Sequence, residues 1–364
     1  MRILTVFGTR PEVIKLAPVI QALQKRSVDV TVCVSGQHRD MLDQMLADFG
    51  IKPDYDLDVM HENQSPLEVA ARILDELISV FTKTKADWLL VQGDTTTTFA
   101  AAWVSYNHRT PVAHVEAGLR THDKFRPFPE EVNRRLTSVL ADVHFAATPR
   151  AVENLRLEGV PSERIFLTGN TVVDALEAIL RRPTVFSDPR LAVPDGRLML
   201  VTAHRRENFG PPLEQICGAV SELVNSYPDI TVIFPVHRNP SVKKTVFKLL
   251  DGLPRTILTE PLPYPQFVHL MKRAELILSD SGGVQEEAPS VGTPVIVLRE
   301  ITERPEAIES GWAKLAGTSR EGIVACVHEW FAGQKNRFPS GPNPFGDGKA
   351  SERIVDHLLA YVRK

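Results

Sequence analysis

Short apolar runs alternate with segments of helical spacing along nearly the whole chain. Ile3 to Phe7, Val28 to Ser35, Asp87 to Gln92 and Pro111 to Val115 read as buried strands. Between them, Glu12 to Gln24 puts Val13, Leu16, Val19, Ile20 and Leu23 on one face, a helix begins at Gln37-His38, and Val69 to Phe81 is strongly amphipathic. The alternation continues through a strand at Val143 to Ala147, a helix over Ala151 to Leu157 and a strand at Ile165 to Thr168. Arg181 to Arg197 breaks it with Pro183, Pro189 and Pro194 and few apolar residues, as a connection between domains would. The pattern restarts with the strand Leu198 to Thr202, a helix from Leu213, the strand Ile230 to Pro235, and a strand–turn–helix–strand unit from Glu275 to Arg299. Strands and helices alternating in both halves predict an α/β protein made of two Rossmann-like, doubly wound parallel-sheet domains facing one another. A last helix, Ser351 to Val362, is expected to dock back on the first domain.

Candidate chemistry collects where strands end. The stretch from Glu275 to Arg299 passes from Leu276-Ile277-Leu278 through Ser279-Asp280-Ser281 into Gly282 and Gly283. In parallel sheets ligands sit at such strand ends, and a glycine turn before a helix offers N–H groups to phosphate. Taken alone, the pair reads equally as an ordinary turn with a serine cap. Gly8-Thr9-Arg10-Pro11-Glu12 ends the first strand, with Lys15 one turn on; these cations suit an anion or are surface charges on a helix start. Asp94 follows the third strand and has an ordinary role open to it as a helix cap. Glu116 ends the next strand, before Gly118, so that two neighbouring strands finish in a carboxylate. The loop Lys124 to Arg135 is stiffened by Pro127 and Pro129 and brings Glu130 and Glu131 into a helix whose first turn favours acids in any case. In the second half, Ala203 to Asn208 carries His204, Arg205 and Arg206 at a strand-to-helix turn; His237-Arg238 and Thr302 to Glu306 follow later strands. A His with two Arg can bind a diphosphate or move a proton, or can cap a helix with exposed base.

Composition narrows the class. The chain has 364 residues, 43% hydrophobic and 24% charged, enough for two globular domains. A formal net charge of −3 gives no reason to expect nucleic acid or a membrane surface as partner. Cys33, Cys217 and Cys326 are scattered, with no metal-like spacing, and read as small buried hydrophobes in a reducing compartment. No signal peptide, transmembrane run, repeat or coiled-coil heptad is visible, and a cytoplasmic location is expected.

With GTRPE, VQGDTTTT, HVEAGLRT, PEEVNRR, TAHRREN and SDSGGVQEEAP in order, and NPFGDGKASERI near the end, the chain closely resembles the non-hydrolysing UDP-N-acetylglucosamine 2-epimerases over essentially its whole length. The resemblance implies the GT-B architecture: residues 1–169 as the domain with the catalytic carboxylates, 170–348 as the UDP-binding domain, 349–364 as a helix crossing back, and the nucleotide sugar in the cleft between. It implies reversible conversion of UDP-N-acetylglucosamine to UDP-N-acetylmannosamine, by loss of UDP to a 2-acetamidoglucal and its re-addition. Asp94, Glu116, Glu130 and His204 then match the catalytic groups. Arg10, Lys15, Arg134, Arg205, His237, Phe267, Ser281, Gly282, Gly283, Glu287 and Arg304 match substrate contacts. The reaction involves no net redox change, so no nicotinamide is called for, in keeping with the missing GxGxxG; no cluster has metal-ligand spacing, and no metal is expected. A homodimer serving cell-envelope polysaccharide synthesis is also implied. A second, activating UDP-N-acetylglucosamine is bound by some relatives; Gln37, Gln64, Arg205 and His237 fit that site, whereas Asp40 and Asn63 depart from it.

Three other readings share these motifs. A hydrolysing epimerase would release N-acetylmannosamine and UDP. A GT-B glycosyltransferase would use the same nucleotide pocket but seldom needs three carboxylates. A dead nucleotide-sugar sensor would need the pocket and not Asp94, Glu116, Glu130 and His204.

Overall fold

The computed structural model describes residues 1–36, 39–59, 64–192, 196–332 and 341–361, with residues 39–41 and 66 described in backbone only. The chain divides into two compact units, Met1–Glu177 with Phe345–Lys364, and Ala178–Pro344.

The first unit runs β1 (Arg2–Phe7), α1 (Arg10–Lys25), β2 (Asp29–Val34), α2 (Arg39–Phe49), β3 (Tyr55–Asp56), α3 (Pro66–Thr84), β4 (Trp88–Gln92), α4 (Thr96–Asn107), β5 (Val112–Ala117), α5 (Glu130–Leu140), β6 (Val143–Ala146), α6 (Pro149–Leu157), β7 (Ile165–Leu167) and α7 (Thr171–Leu180), the last passing into the second unit. Its strands form one parallel sheet in the order β3-β2-β1-β4-β5-β6-β7. Both faces of the central strands are covered, which is why β4 and β5 are buried at every position and read as unbroken apolar runs apart from Gln92, His114 and Glu116.

The second unit runs β8 (Arg197–Thr202), α8 (Pro211–Ser226), β9 (Ile230–Pro235), α9 (Pro240–Leu250), β10 (Thr256–Thr259), α10 (Tyr264–Arg273), β11 (Leu276–Ser279), α11 (Gly282–Glu287), β12 (Val295–Val297), α12 (Pro305–Glu309), β13 (Ala313–Leu315) and α13 (Arg320–Phe331). Its parallel sheet has the order β10-β9-β8-β11-β12-β13. Both units therefore have the expected doubly wound parallel-sheet class.

The last helix, α14 (Ala350–Ala360), belongs to the first unit and packs on α1. The Asp174 carboxylate of α7 accepts from the Ser351 and Ala350 amides at 2.7 and 3.2 Å and so caps α14. The amide of Asn170 donates to the Phe345 carbonyl at 2.6 Å, tying the returning chain beside the exit of β7.

Strand order reverses between β1 and β4 in the first sheet and between β8 and β11 in the second. Loops at such switch points diverge to opposite faces and leave a crevice at the carboxyl ends of the strands. At the first of them, Gly8 sits where a Cβ would lie 2.0 Å from Ser35 Oγ and 2.9 Å from Thr97 Oγ1, and those two hydroxyls are bonded to each other at 2.9 Å. Gly8→Ala is expected to destabilise the protein by about 1–3 kcal/mol through overpacking, with Ser35→Ala in the same chain recovering part of it; thermal unfolding of the three proteins tests this.

Candidate active site

The first unit brings its predicted carboxylates to the ends of two adjacent strands, β4 and β5. Asp94 lies in the turn after β4, but the cap of α4 is Thr95, whose hydroxyl accepts from the Thr98 amide at 3.1 Å. Asp94 is thus released from the ordinary capping role that its position suggests. Its Oδ2 instead accepts from Arg134 Nη2 at 2.5 Å, and its own carbonyl accepts from Asn133 Nδ2 at 3.1 Å. Arg134 also lies 3.4 Å from Glu131, which is fully buried and accepts from the Thr121 and His122 amides. Glu130 begins α5, half-buried, beside this group in sequence.

Glu116 is 7% exposed and has φ of +62°, in the left-handed region that residues other than glycine rarely occupy. Such strain persists where the surroundings fix the residue. Here Lys15 Nζ lies 2.6 and 2.7 Å from its two oxygens, Asn170 Nδ2 donates at 3.3 Å, and Gln92 Nε2 donates as well. Lys15, expected to meet an anion, is in this structure buried on Glu116. Arg10 begins α1, half-buried.

Two residues outside the expected set hold these turns. Glu12 is buried and accepts from the Gly8 and Thr9 amides at 3.0 and 2.7 Å and from the Thr95 hydroxyl at 2.8 Å, so one carboxylate joins the turn of Arg10 to that of Asp94. Burial pushes its carboxyl above the ordinary range, against those hydrogen bonds. His114 Nε2 donates to the Gly93 carbonyl at 2.7 Å, immediately before Asp94. Burial pushes its imidazole down to about 4, and that of its cross-strand neighbour His144 to about 3. Both are neutral when folded, whereas unfolded histidine titrates near its ordinary 6.5. Between those limits the unfolded chain binds protons that the folded chain does not, so stability falls as pH drops from 6.5 toward 4. Chemical denaturation across that window is expected to show the fall, and His114→Gln, which keeps a donor for Gly93, to make it shallower.

The second unit gathers its predicted residues around β8 and β11. His204 and Arg205 follow β8, and Asp280, Ser281 and Gly282 follow β11. The Ser281 side chain makes no capping bond, so the turn is not an ordinary serine-capped start. A Cβ on Gly282 would lie 3.6 Å from the guanidinium groups of both Arg205 and Arg304. The two cations therefore converge on one glycine. They are offset by Glu303, 3.7 Å from Arg205 and 3.4 Å from Arg304, and by Glu286, 2.5 Å from Arg304. Gly283 is the next residue of α11, and Glu287, buried at its end, accepts from the Tyr264 hydroxyl at 3.1 Å. Phe267 is half-buried on α10.

His204 Nδ1 lies 3.1 Å from Oδ1 of the fully buried Asp280. The His237 ring stands 6.1 Å from that of His204 at 28°, and burial, followed by the neighbouring His204, lowers its titration. The arrangement can bind a dianion at the glycine turn and place an imidazole beside it. Gln64 is half-buried just before α3; Gln37 and Asn63, and the side chain of Asp40, lie outside the described residues. Among the described residues no cluster of His, Cys, Asp and Glu is placed to hold a metal, and no helix is long and apolar enough to cross a membrane. Asp280, Gln92 and Asn170 stand outside the expected set; of these only Asp280, a charge ending an apolar strand, carries a local sign in the sequence.

Comparison with known proteins gives the family. The family model of UDP-N-acetylglucosamine 2-epimerase matches residues 21–359. A UDP-N-acetylglucosamine 2-epimerase of Yersinia pestis is 48% identical over 98% of this chain and 98% of its own. The crystal structure of UDP-GlcNAc 2-epimerase from Neisseria meningitidis bound to UDP-GlcNAc is 45% identical, with a TM-score of 0.93 over 99% of this chain and 100% of that one. That of the Methanocaldococcus jannaschii UDP-GlcNAc 2-epimerase in complex with UDP-GlcNAc and UDP is 36% identical, with a TM-score of 0.82 over 99% and 100% of the two chains. Family model, full-length identity and fold agree: the chain belongs to the UDP-N-acetylglucosamine 2-epimerase family of isomerases.

Proposed function

We propose that the protein interconverts UDP-N-acetylglucosamine and UDP-N-acetylmannosamine without hydrolysis, by eliminating and re-adding UDP. The observation that carries the nucleotide end of this reading is the pair of guanidiniums, Arg205 and Arg304, converging on Gly282 beside His204. Two cations and free backbone at a strand-to-helix turn match a diphosphate. Ser281 and Gly283 add to that anion site, Phe267 lies against the base, and Glu287 accepts from the ribose hydroxyls.

The hydrogen at C2 of the sugar is not adjacent to a carbonyl, so direct deprotonation is far too slow. Elimination removes the difficulty. A base takes the C2 proton, the C1–O bond to the diphosphate breaks with its electron pair on UDP, and a C1=C2 double bond forms. Return of UDP to C1 and of a proton to the other face of C2 gives the epimer. Acceptors and donors are then needed on both faces of one carbon, and Asp94, Glu116 and Glu130 supply them. Arg134 holds Asp94, and Lys15 holds Glu116. His204 and the arginines offset the charge that develops on UDP. No electron is gained or lost overall, so the reaction calls for no nicotinamide.

Product analysis separates the readings. Incubation with UDP-N-acetylglucosamine is expected to give a fixed minority of UDP-N-acetylmannosamine and no accumulating free sugar. Steady release of N-acetylmannosamine and UDP would replace this reading with the hydrolysing one.

The working unit is a homodimer in this reading, closed over apolar side chains of α4 and α5. Trp103 and Tyr106 are 45% and 59% exposed and stacked at 5.9 Å, and Leu136 and Val139 are 42% and 82% exposed on the neighbouring α5. Sedimentation is expected to give twice the 40.5 kDa chain mass, and Val139→Glu to give single chains.

A further inference from the structure

We propose that Asp280 is a positioning residue for the reaction: a carboxylate locked by the backbone, which fixes the tautomer and the direction of the His204 imidazole. The proposal rests on the reading of His204 as the group that meets the departing diphosphate.

Asp280 follows β11 and is fully buried. Its Oδ2 accepts from the His204 amide, the Arg205 amide and Asn208 Nδ2, each at 2.9 Å. Asn208 Nδ2 also lies 3.2 Å from the Leu298 carbonyl, and the Asp280 amide donates to the Thr202 carbonyl at 3.3 Å. Three donors on one oxygen, together with the bond from its own amide, leave the carboxyl no freedom to turn. Oδ1 is then presented to His204 Nδ1, 3.1 Å away. A buried carboxylate with one oxygen held by the chain and the other facing an imidazole nitrogen at 3.1 Å, with no hydrogen bond of its own among the described residues, is more than a structural cap needs, because the two amides and Asn208 already satisfy Oδ2.

The chemical consequence follows from the ring. An imidazole whose Nδ1–H is held by a carboxylate has Nε2, on its other edge, left for a ligand. A second proton, taken up on Nε2 from solvent when the diphosphate binds, makes the ring a donor to the diphosphate oxygen as the C1–O bond breaks, and the carboxylate steadies the charge of the imidazolium. When UDP returns, the hydrogen bond is withdrawn and no atom is exchanged. His204 is 42% exposed at its side chain, so the ring is reachable. Burial pulls Asp280 toward its neutral form, but the nearby His204 imidazole and the two amides outweigh it and hold the carboxyl below its ordinary range. The His237 ring, 6.1 Å away, also faces the ring of His204.

Nitrogen-15 NMR of the full-length protein labelled at histidine tests the geometry without a variant. His204, assigned by the signal lost in His204→Gln, is expected to carry its proton on Nδ1 at neutral pH, with that proton far downfield. An Nε2–H tautomer in the wild type would overturn the proposal. Asp280→Asn places an amide where Nδ1–H needs an acceptor. It is expected to lower kcat about 100-fold or more, leave KM and UDP affinity within about threefold, and abolish the downfield proton. Full turnover and an unchanged pH profile in Asp280→Asn, with His204→Gln inactive, would sink this inference alone. Full turnover in His204→Gln would instead remove the reading on which it rests.

Discussion

Asp94→Asn is expected to lower kcat by about 10²–10⁴-fold while leaving UDP affinity and thermal stability close to wild type. The shape of the side chain is kept, and the cap of α4 is untouched because Thr95 provides it. What is lost is the charge that meets Arg134 Nη2 and the ability to exchange a proton. Glu116→Gln is expected to act in the same direction. UDP binding, measured by calorimetry, is the control, since the proposed nucleotide contacts around Gly282 lie elsewhere in the chain. Normal turnover in Asp94→Asn would remove Asp94 from the chemistry. Loss of turnover together with a large loss of UDP affinity would make it a binding residue.

Lys15→Met tests a second role, and its largest effect is on stability. Lys15 and Glu116 are 11% and 4% exposed at their side chains and lie 2.6 Å apart. Removing one member of a buried ion pair costs about 3–5 kcal/mol. For a unit of this size that amounts to a fall of roughly 10 °C in Tm. Adding Glu116→Gln to Lys15→Met is expected to restore most of the stability and none of the turnover. The family resemblance implies a different job for Lys15, contact with the nucleotide sugar. A Lys15→Met protein with unchanged Tm and weakened UDP binding would favour that job over the pairing seen here.

The scaffold was readable because both sheets are buried on two sides. Strands such as Leu276 to Ser279 and Trp88 to Gln92 must then be nearly continuous apolar runs, and the polar residue that ends each one stands out. That is how Asp94, Glu116 and the Gly282 turn could be picked from sequence. Several elements go unread, among them β3 and α7. β3 is only Tyr55–Asp56, too short for any period, and α7 (Thr171–Leu180) is a short helix whose few polar positions, Thr171, Asp174 and Glu177, leave it mostly apolar. The ordinary explanations open to each site residue also needed coordinates to set aside. Nothing in the letters says that Thr95 rather than Asp94 caps α4, or that Lys15 is buried.

The supporting residues were hidden for a different reason. Gln92 and Asn170 reach Glu116 across 24 and 54 positions of sequence, and Asp280 reaches the His204 amide across 76. A side chain that orients another leaves no local period or motif, because only the fold brings the two together. Glu12 looks like a first-turn acid of α1, favoured there by the helix dipole, until its bond to Thr95 shows that it joins two turns.

In the proposed reaction C2 loses its proton and regains one from solvent while UDP leaves and returns. Proton NMR of UDP-N-acetylglucosamine incubated with the enzyme in D2O measures this directly. Deuterium is expected at C2 in both UDP-N-acetylglucosamine and UDP-N-acetylmannosamine, with the latter in the minority. UDP-N-acetylmannosamine formed with its C2 proton retained, or an unchanged spectrum, would contradict it.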